Sequence, residues 1–310
     1  MGNKPPPSIG VVIPTHQRPK LLDAALESVL CQEYEGKLRV VVVFDRDTPN
    51  LGLIREGTRP VSVLVNDRTP GPSGARNTGI LAMNDVDLVA FCDDDDRWMP
   101  GKLSAQVAAL AERSDAEFVT TAIEAEYAAG KVHPRVIGIG AVELSDLLRS
   151  RMAVLHSSTF VLRRDALINE DRIGLFAEDV PGSNNEDFDL LLRAARRQPI
   201  LHVDRPLVRV LWGNTSFFTH QYRIKIASLE WMLNRHPDLT LYSSGAARRY
   251  GQLACWYAAL GQRRDARRWV VRAIRRRWSE PRIVIALAVM ARLVSMDFVL
   301  SILQKWGRGL

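Results

Sequence analysis

The sequence predicts an α/β fold, in which a mainly parallel sheet carries helices on both faces and a C-terminal α-helical region follows. Two observations predict it. Short runs of apolar, largely β-branched residues alternate with segments whose apolar residues recur at helical spacing, as in sheets whose strands are each followed by a covering helix. From about Thr219 to the end, only the helical spacing remains.

The first third of the chain shows the clearest alternation. Pro19 and Pro100 each begin a helix, because proline is favoured in the first helical turn, and the segment from Pro70 to Gly74 is expected to be a loop. The predicted strands are residues 9–13, 38–44, 61–65 and 86–92, and the predicted helices are residues 19–32, 75–83 and a segment from 100 onward.

The middle of the chain, from about Glu117 to Leu211, has a mixed pattern. The predicted strands are residues 118–123, 159–162, 199–203 and 207–211, and the predicted helices are residues 142–150 and 187–197. We therefore divide the chain into an α/β domain of residues 1–218 and a basic α-helical region of residues 219–310.

Composition excludes several classes of protein. With 310 residues, 46% of them hydrophobic, the chain can bury a sizeable core and is not globally disordered. Its three cysteines are far apart and form no CxxC pair, so neither a disulfide scaffold nor a zinc module is indicated. A reducing compartment is expected. Residues 1–8 lack an apolar run, and we do not expect a secretory signal there.

The net charge of +7 is unevenly distributed. Residues 245–310 hold fourteen Arg and Lys against three Asp and Glu, a balance of +11, so the preceding residues carry about −4. A nucleic-acid-binding surface over the whole molecule is therefore not expected. A basic tail suggests a local anionic partner, such as a membrane surface, a nucleic acid or an acidic protein.

Polar side chains follow three of the predicted strands. Thr15 and His16 end the first strand, Asp45 ends the second, and Asp93 to Asp96 follow the strand at 86–92. In parallel sheets, ligands bind beyond the carboxyl ends of the strands. One crevice is therefore expected to gather a histidine and several carboxylates.

The run Asp93-Asp-Asp-Asp96 is the most charged of these segments. Four adjacent carboxylates repel one another unless a cation lies among them. The run could be a solvated acidic loop before the helix that begins at Pro100. The interpretation we favour is a site for Mg²⁺ or Mn²⁺, held by one or two carboxylates together with phosphate oxygens.

Five segments in this order resemble the family 2 glycosyltransferases. They are Val-Val-Ile-Pro-Thr-His at 11–16, Val-Phe-Asp at 43–45, Gly-Ala-Arg-Asn-Thr-Gly at 74–79, Phe-Cys-Asp-Asp-Asp-Asp at 91–96 and Asn-Glu-Asp-Phe-Asp-Leu-Leu-Leu-Arg at 185–193. The resemblance covers about residues 8–216. It implies the Rossmann-like GT-A fold, with a nucleotide-binding half at about 8–115 and an acceptor-binding half at about 116–218.

The resemblance implies a pocket for the nucleotide of a UDP-sugar. Asp45 would accept the N3–H of uracil, and His16 would stack near that base. Pro14 and Thr15 would line the same pocket, and Arg76 would lie near the nucleotide. His16 and Arg76 could instead be ordinary surface residues.

The aspartate run would correspond to the family's Asp-x-Asp motif. Asp95 is the predicted direct ligand of the metal, and Asp93 and Asp94 would face the ribose or support the ligand. Many relatives add a histidine in the segment that corresponds here to residues 209–216, where Trp212 appears to occupy its place. Either His220 substitutes for it, or the metal has only carboxylate, phosphate and water ligands.

The pair Glu186-Asp187 matches the family's Glu-Asp motif at the start of a helix. Asp187 would be the general base that takes the proton of the acceptor hydroxyl, and Glu186 and Trp212 would lie on the acceptor side. The two carboxylates could instead only stabilise the N-terminus of that helix. His156 and His202 are expected to be structural or acceptor-side residues.

The C-terminal region combines a basic helix with an apolar one. Eight arginines lie between Arg263 and Arg277, and residues 283–303 are apolar except for Arg292 and Asp297. The basic face could simply be solvated, or it could bind anionic lipid at the cytoplasmic leaflet. Charges near the centre of the apolar segment favour a buried or interfacial helix over a transmembrane one.

The expected function is metal-dependent, inverting transfer of a sugar from a UDP-sugar to a hydroxyl of a glycan or lipid-linked glycan, in cell-envelope or exopolysaccharide biosynthesis. The expected location is cytoplasmic, on the inner face of the membrane if the tail binds lipid. The alternative is an inactive GT-A scaffold that acts through its helical tail. Nucleic-acid binding by the arginine-rich helix is not expected, because no binding motif accompanies it.

Overall fold

The computed structural model describes residues 5–127, 130–212 and 221–305. The chain forms two compact units. The sheet unit comprises Met1–Leu144, Met152–Asp179 and Glu186–Trp212, and the helical unit comprises Ser145–Arg151, Val180–Asn185 and Gly213–Leu310. The predicted boundary between residues 218 and 219 lies outside the described residues.

The strands and helices follow one another in the order that the sequence suggests. The strands are β1 Ile9–Thr15, β2 Leu38–Phe44, β3 Val61–Val65, β4 Leu88–Phe91, β5 Arg97–Trp98, β6 Phe118–Tyr127, β7 Lys131–Arg135, β8 Ala141–Val142, β9 Val161–Arg163 and β10 Ile200–Leu211. The helices are α1 Pro19–Leu30, α2 Pro72–Leu81, α3 Lys102–Glu112, α4 Leu144–Arg149, α5 Arg164–Ile168, α6 Glu186–Arg197, α7 Tyr222–Arg235, α8 Ser243–Ala259, α9 Arg263–Arg276, α10 Pro281–Met290 and α11 Met296–Lys305.

One mixed sheet runs through the sheet unit in the order β3-β2-β1-β4-β9-β6-β10-β5, with β7 beside β6 and β8 beside β10. The strands β3, β2, β1 and β4 are parallel to one another, and β6 is parallel to β10. The short strand β9 pairs antiparallel with both β4 and β6. Because β9 reverses direction twice over, β1, β2, β4, β6 and β10 all end at the same edge of the sheet.

Burial explains why β1 forms an uninterrupted apolar run. All seven of its residues are buried, and successive side chains of a strand point to opposite faces, so both faces of β1 are covered. The sheet and its helices confirm the predicted α/β fold with a C-terminal helical extension.

Several predicted boundaries in the sheet unit were wrong. Helix α2 begins at Pro72 rather than near Ala75, because Pro72 is its first residue and Gly71, with a φ of 118°, turns the chain into it. The strands predicted at 199–203 and 207–211 are the single strand β10, whose register shifts around Pro206. The helix predicted at 142–150 is shorter, because residues 141 and 142 pair with β10.

The apolar segment predicted as one helix over residues 283–303 is two helices. Arg292 has a φ of 61° and ends α10, with hydrogen bonds from the Leu293 N–H to the Ala288 carbonyl and from the Arg292 N–H to the Val289 carbonyl. This is the Schellman pattern of helix termination. The hydroxyl of Ser295 then accepts a bond from the Phe298 N–H and caps α11.

A small core holds the end of the helical unit together. Its buried residues come from α8, α9, α10 and α11, and they are Ala254, Cys255, Val270, Ala273, Ile283, Ala286 and Met296. The alanines allow the helix backbones to approach closely. Among the described residues, no helix has both the length and the apolar character needed to cross a bilayer.

Candidate active site

The carboxylate of Asp45 lies just beyond β2 and is held in a fixed orientation. Its Oδ1 accepts a hydrogen bond from Asn66 Nδ2 at 2.7 Å, and its Oδ2 accepts bonds from the Gly71 N–H at 3.1 Å and Arg46 Nε at 3.0 Å. Burial alone would raise the pKa of Asp45, but these hydrogen bonds outweigh it and lower the pKa. The group is therefore an ionised acceptor at neutral pH.

The residues at the end of β1 reach toward both Asp45 and the aspartate run. His16 Nδ1 lies 2.7 Å from the backbone oxygen of Asp45. The hydroxyl of Thr15 donates to Asp94 Oδ2 at 2.8 Å. Pro14 is buried in β1, in register with Val43 of β2. The structure thus brings the predicted nucleotide-pocket residues Pro14, Thr15, His16 and Asp45 to one corner of the sheet edge.

Arg18, which the sequence analysis did not single out, binds the two middle aspartates. Its Nη1 donates to Asp95 Oδ2 at 2.6 Å and to Asp94 Oδ1 at 3.3 Å. Burial raises the pKa of Asp94. Burial and the neighbouring carboxylates of Asp96 and Asp93 raise the pKa of Asp95 to about 7, although Arg18 opposes that rise.

Arg76 connects the aspartate run to the start of α6. Its side chain is almost fully buried, and its guanidinium donates to Asp93 Oδ1 at 2.7 Å, to Glu186 Oε1 at 2.7 Å and to the hydroxyl of Ser157 at 3.1 Å. Burial favours the neutral arginine, but the charges of Asp93 and Glu186 outweigh it and raise the pKa of Arg76. Burial is likewise outweighed at Asp93, whose pKa is lowered by Arg76.

Asp96 turns in the opposite direction from Asp95. Its Oδ2 accepts a bond from the Ser158 hydroxyl at 2.5 Å and lies 3.1 Å from His156 Nδ1. Burial would lower the pKa of His156, but the Asp96 and Asp93 carboxylates outweigh it and raise that pKa to about 9. His156 is therefore a cation at neutral pH.

These contacts change the argument drawn from the charge of the aspartate run. The sequence argument assumed that four neighbouring carboxylates require a bound cation. Instead the side chains diverge, and each has a cationic partner from the protein: Arg76 for Asp93, Arg18 for Asp94 and Asp95, and His156 for Asp96. Repulsion within the run is thus not by itself an argument for a metal.

The donor atoms nevertheless suit a divalent cation. One oxygen each from Asp93 and Asp96 and one nitrogen of His156 lie within 4.8 Å of one another. Two carboxylates and an imidazole form a donor set that Mn²⁺ accepts. Asp95, the predicted ligand, lies beside this group in sequence and is bound to Arg18. His220, the predicted histidine ligand, lies outside the described residues.

Glu186 and Asp187 occupy the first turn of α6, and both are buried. Burial and the neighbouring Asp187 carboxylate raise the pKa of Glu186 to about 7, and Arg76 opposes this rise. Asp187 Oδ1 accepts a bond from the Phe188 N–H at 2.7 Å. Its carboxylate also acts on the charge of His156, so the predicted base and the aspartate run share one electrostatic environment.

Trp212 follows β10 at the same edge of the sheet. Its ring is stacked on that of Tyr127, with the ring centroids 6.4 Å apart and the planes 10° from parallel. Its N–H donates to the Glu126 carbonyl at 2.7 Å.

His202, by contrast, is buried between Thr120 Oγ1 at 2.9 Å and Asp204 at 3.2 Å. Its contacts are those of a structural residue.

Sequence reasoning missed the residues that complete the site from elsewhere in the chain. Ser157 and Ser158 bind the aspartate run, and Asn66 binds Asp45. These residues follow no strand of the predicted parallel set, and no motif marks them. Arg18 was the one with a usable signal, since it lies two residues after the strand end at His16.

The comparisons with known proteins place the chain in a family. Residues 10–169, just over half of the chain, match the model described as Glycosyl transferase family 2. Succinoglycan biosynthesis protein ExoW of Rhizobium meliloti (strain 1021) is 30% identical over 196 residues, which cover 55% of this chain and 60% of that protein. WfgD of Escherichia coli, named a UDP-Glc:alpha-D-GlcNAc-diphosphoundecaprenol beta-1,3-glucosyltransferase, is 26% identical over 103 residues, which cover 33% of this chain and 40% of that protein. The matches thus span 60% or less of these curated relatives.

Solved structures resemble the chain over almost its whole length. S. aureus TarS 1-349 in complex with UDP-GlcNAc has a TM-score of 0.61 at 17% identity, covering 92% of this chain and 91% of that chain. Mannosyltransferase PcManGT from Pyrobaculum calidifontis, in complex with GDP-Man and Mn²⁺, has a TM-score of 0.53 at 16% identity, covering 94% of this chain and 82% of that chain. These likenesses confirm the predicted GT-A fold. The chain therefore belongs to glycosyl transferase family 2.

Proposed function

We propose that this protein is a divalent-metal-dependent, inverting glycosyltransferase that moves a sugar from a UDP-sugar to a hydroxyl of a glycan or lipid-linked glycan. The observation that carries the proposal is the bridge formed by Arg76. It joins Asp93, in the predicted donor-binding half, to Glu186, which adjoins the predicted base Asp187. Donor-side and acceptor-side carboxylates are thereby held in one buried network.

The donor end of the proposal rests on Asp45. A carboxylate offers about four lone-pair directions, and the protein supplies three donors to Asp45. An acceptor direction therefore remains for the N3–H of uracil, with His16, Pro14 and Thr15 beside the base. The nucleotide sugars named for WfgD and TarS support a UDP-sugar as the donor.

The chemical step needs a base, because a sugar hydroxyl is a poor nucleophile. We assign this role to Asp187: its carboxylate takes the hydroxyl proton while the oxygen attacks the anomeric carbon and the bond from that carbon to the diphosphate breaks. Direct displacement inverts the anomeric centre. The developing positive charge on the sugar resembles that in glycoside hydrolysis.

A divalent cation, Mn²⁺ or Mg²⁺, would stabilise the negative charge of the departing diphosphate. Asp95 is the ligand that the family resemblance implies, and Asp93, Asp96 and His156 are the donors that the structure gathers. The two assignments differ in what they predict for Mn²⁺ titrated with UDP in a calorimeter. If Asp95→Asn weakens binding and Asp96→Asn does not, Asp95 is the ligand; the reverse result assigns the group that contains His156.

The acceptor is proposed from the relatives and from the sheet edge. ExoW is named for succinoglycan biosynthesis and WfgD for a diphosphoundecaprenol-linked acceptor, which supports envelope or exopolysaccharide synthesis at the inner face of the cytoplasmic membrane. Glu186 and Trp212 would face this acceptor, and the stacked rings of Trp212 and Tyr127 offer the apolar surface on which a sugar can pack.

The test compares Asp187→Asn with Asp171→Asn, which changes an exposed carboxylate of the same unit. A calorimetric panel of UDP-sugars with Mn²⁺ first selects the donor. Asp187→Asn should then lower turnover by about 100-fold or more, the usual contribution of a general base, with UDP affinity unchanged. Asp171→Asn should match the parent. If the panel selects no donor, or if Asp187→Asn turns over normally, the scaffold alternative or another base is favoured instead.

A further inference from the structure

The outer face of α9 carries five arginines and no acidic residue. Helix α9 packs into the helical unit through Ala266, Val270 and Ala273, which are buried. The opposite side is the arginine face, formed by Arg264, Arg267, Arg268, Arg272 and Arg275 around Val271. At 100° per residue these side chains project away from the buried stripe.

The arginine face has no carboxylate partner. Among the residues that the structure describes, no Asp or Glu lies within ion-pair distance of any of its five guanidiniums, whereas the nearby Arg282 is paired with Glu280 at 2.6 Å. Arg272 lies over the ring of Trp269, 4.5 Å from its centroid. Like charges four residues apart, as at 264, 268 and 272, destabilise a helix. A face that carries this cost is typical of one that binds an anionic partner.

Exposed apolar side chains flank the same face. Val271 is 42% exposed, Ile274 is 45% exposed, and Trp278, two residues beyond the end of α9, is 82% exposed. Nucleic acids and acidic proteins are bound by charge and hydrogen bonds and do not require such protruding aliphatic groups. Arginines beside exposed Trp and aliphatic residues are the composition of a helix that lies in a membrane interface.

We propose that the arginine face, together with Ile274 and Trp278, is a docking surface for a bilayer that contains anionic lipid. The arginines attract the lipid phosphates and the negative surface potential, and the indole of Trp278 enters the headgroup region that tryptophan favours. This surface lies wholly within the helical unit and does not depend on the sugar transfer proposed for the sheet unit.

The test measures sedimentation of the full chain with vesicles of phosphatidylcholine containing 30% phosphatidylglycerol, and with vesicles of phosphatidylcholine alone. The parent should prefer the anionic vesicles at 0.1 M salt. Its initial binding should weaken at 1 M salt, where the Debye length falls from about 10 Å to about 3 Å. The triple variant Arg264→Gln, Arg268→Gln, Arg275→Gln should lose at least about tenfold in affinity for the anionic vesicles.

A matched control removes the same charge elsewhere. Lys37, Arg113 and Lys131 are exposed residues of the sheet unit, and their joint replacement by glutamine should leave vesicle binding within about twofold of the parent. Trp278→Ser should leave the salt-sensitive binding at 0.1 M salt and reduce the fraction that stays bound at 1 M salt. Thermal melting of each variant reports whether the fold is retained, which is expected because all substituted side chains are exposed.

Three results would overturn the proposal. The first is equal binding by the triple variant and the parent. The second is an equal loss in the matched control, which would show an effect of net charge alone. The third is preference of the parent for a single-stranded RNA that displaces it from the vesicles, which would make nucleic acid the partner of the arginine face.

Discussion

Replacing Arg76 by methionine should destabilise the sheet unit strongly. Methionine fills a similar elongated volume but leaves Asp93 and Glu186, each 2.7 Å from the guanidinium, without their buried cation. Removing one partner of a buried ion pair costs about 3–5 kcal/mol, because the remaining charge stays desolvated. Each kcal/mol lowers the melting temperature of a unit of about 200 residues by about 2–4 °C. The expected loss is therefore about 10 °C.

The loss should depend on pH, through Glu186. In the parent, burial and the Asp187 carboxylate raise the pKa of Glu186 to about 7, and Arg76 opposes this. Without Arg76 that pKa rises further. A carboxyl whose pKa is higher in the folded than in the unfolded chain stabilises the fold below its unfolded value, about 4.3, and this contribution is lost as the pH rises through the folded value. The deficit of the variant should therefore be larger at pH 8 than at pH 5.

Urea denaturation at pH 5, 6.5 and 8 measures the free energy of unfolding of the parent, Arg76→Met and the double variant Arg76→Met, Glu186→Gln. The double variant should recover part of the loss at pH 8, since it removes one of the two stranded charges. A variant as stable as the parent at pH 8 would refute the role of the bridge. A deficit that is the same at pH 5 and pH 8 would refute the contribution of Glu186.

Three other substitutions test separate parts of the structure. Gly79→Ala places a Cβ 2.4 Å from Val12 Cγ1 and should cost about 1–3 kcal/mol in thermal melts, whereas Gly101→Ala, with no atom within 4 Å of the new Cβ, should be neutral. Burial lowers the pKa of Lys102 to about 7, so the fold gains stability as the pH rises from about 7 toward 10. Lys102→Met should accordingly raise the free energy of unfolding at pH 7 by an amount that shrinks toward pH 10. A methionine variant less stable than the parent at pH 7 would mean that the contact of Nζ with the Trp98 ring, 3.8 Å from its centroid, outweighs the burial. Arg292→Gly, at a φ of 61°, should stabilise the helical unit by about 1 kcal/mol, and an unchanged melting curve would contradict this.

The sequence predicted the regular part of the fold because strand burial and helix periodicity are local patterns. The continuous apolar run of β1 and the helical spacing of α1 were sufficient. The strand β9 has three residues and no readable period, and its antiparallel position between β4 and β6 depends on contacts from distant parts of the chain. The break between α10 and α11 was missed because Arg292, rather than glycine, adopts the left-handed conformation there.

The site was predicted as far as the strand-end rule reaches. Thr15, Asp45 and the aspartate run lie together because β1, β2 and β4 are parallel and end at one edge. Ser157 and His156 join them from a segment more than 60 residues away, and the single-turn geometry that brings their side chains to Asp93 and Asp96 has no sequence signature. Tertiary contacts of this kind are visible only once the chain is folded.

The two charged segments also show when a run of like charge is informative. The aspartate run suggested an unbalanced charge, yet Arg18, Arg76 and His156 balance it. The run is largely buried, and a buried charge without a partner costs several kcal/mol, so a stable fold has to supply one. The arginine face is exposed, where water screens the charges and folding does not require a partner. Its lack of ion pairs among the described residues is therefore not imposed by the fold. Charge alone thus argues more strongly for an external partner at α9 than for a metal at the aspartates, where the argument rests on the 4.8 Å grouping of Asp93, Asp96 and His156 instead.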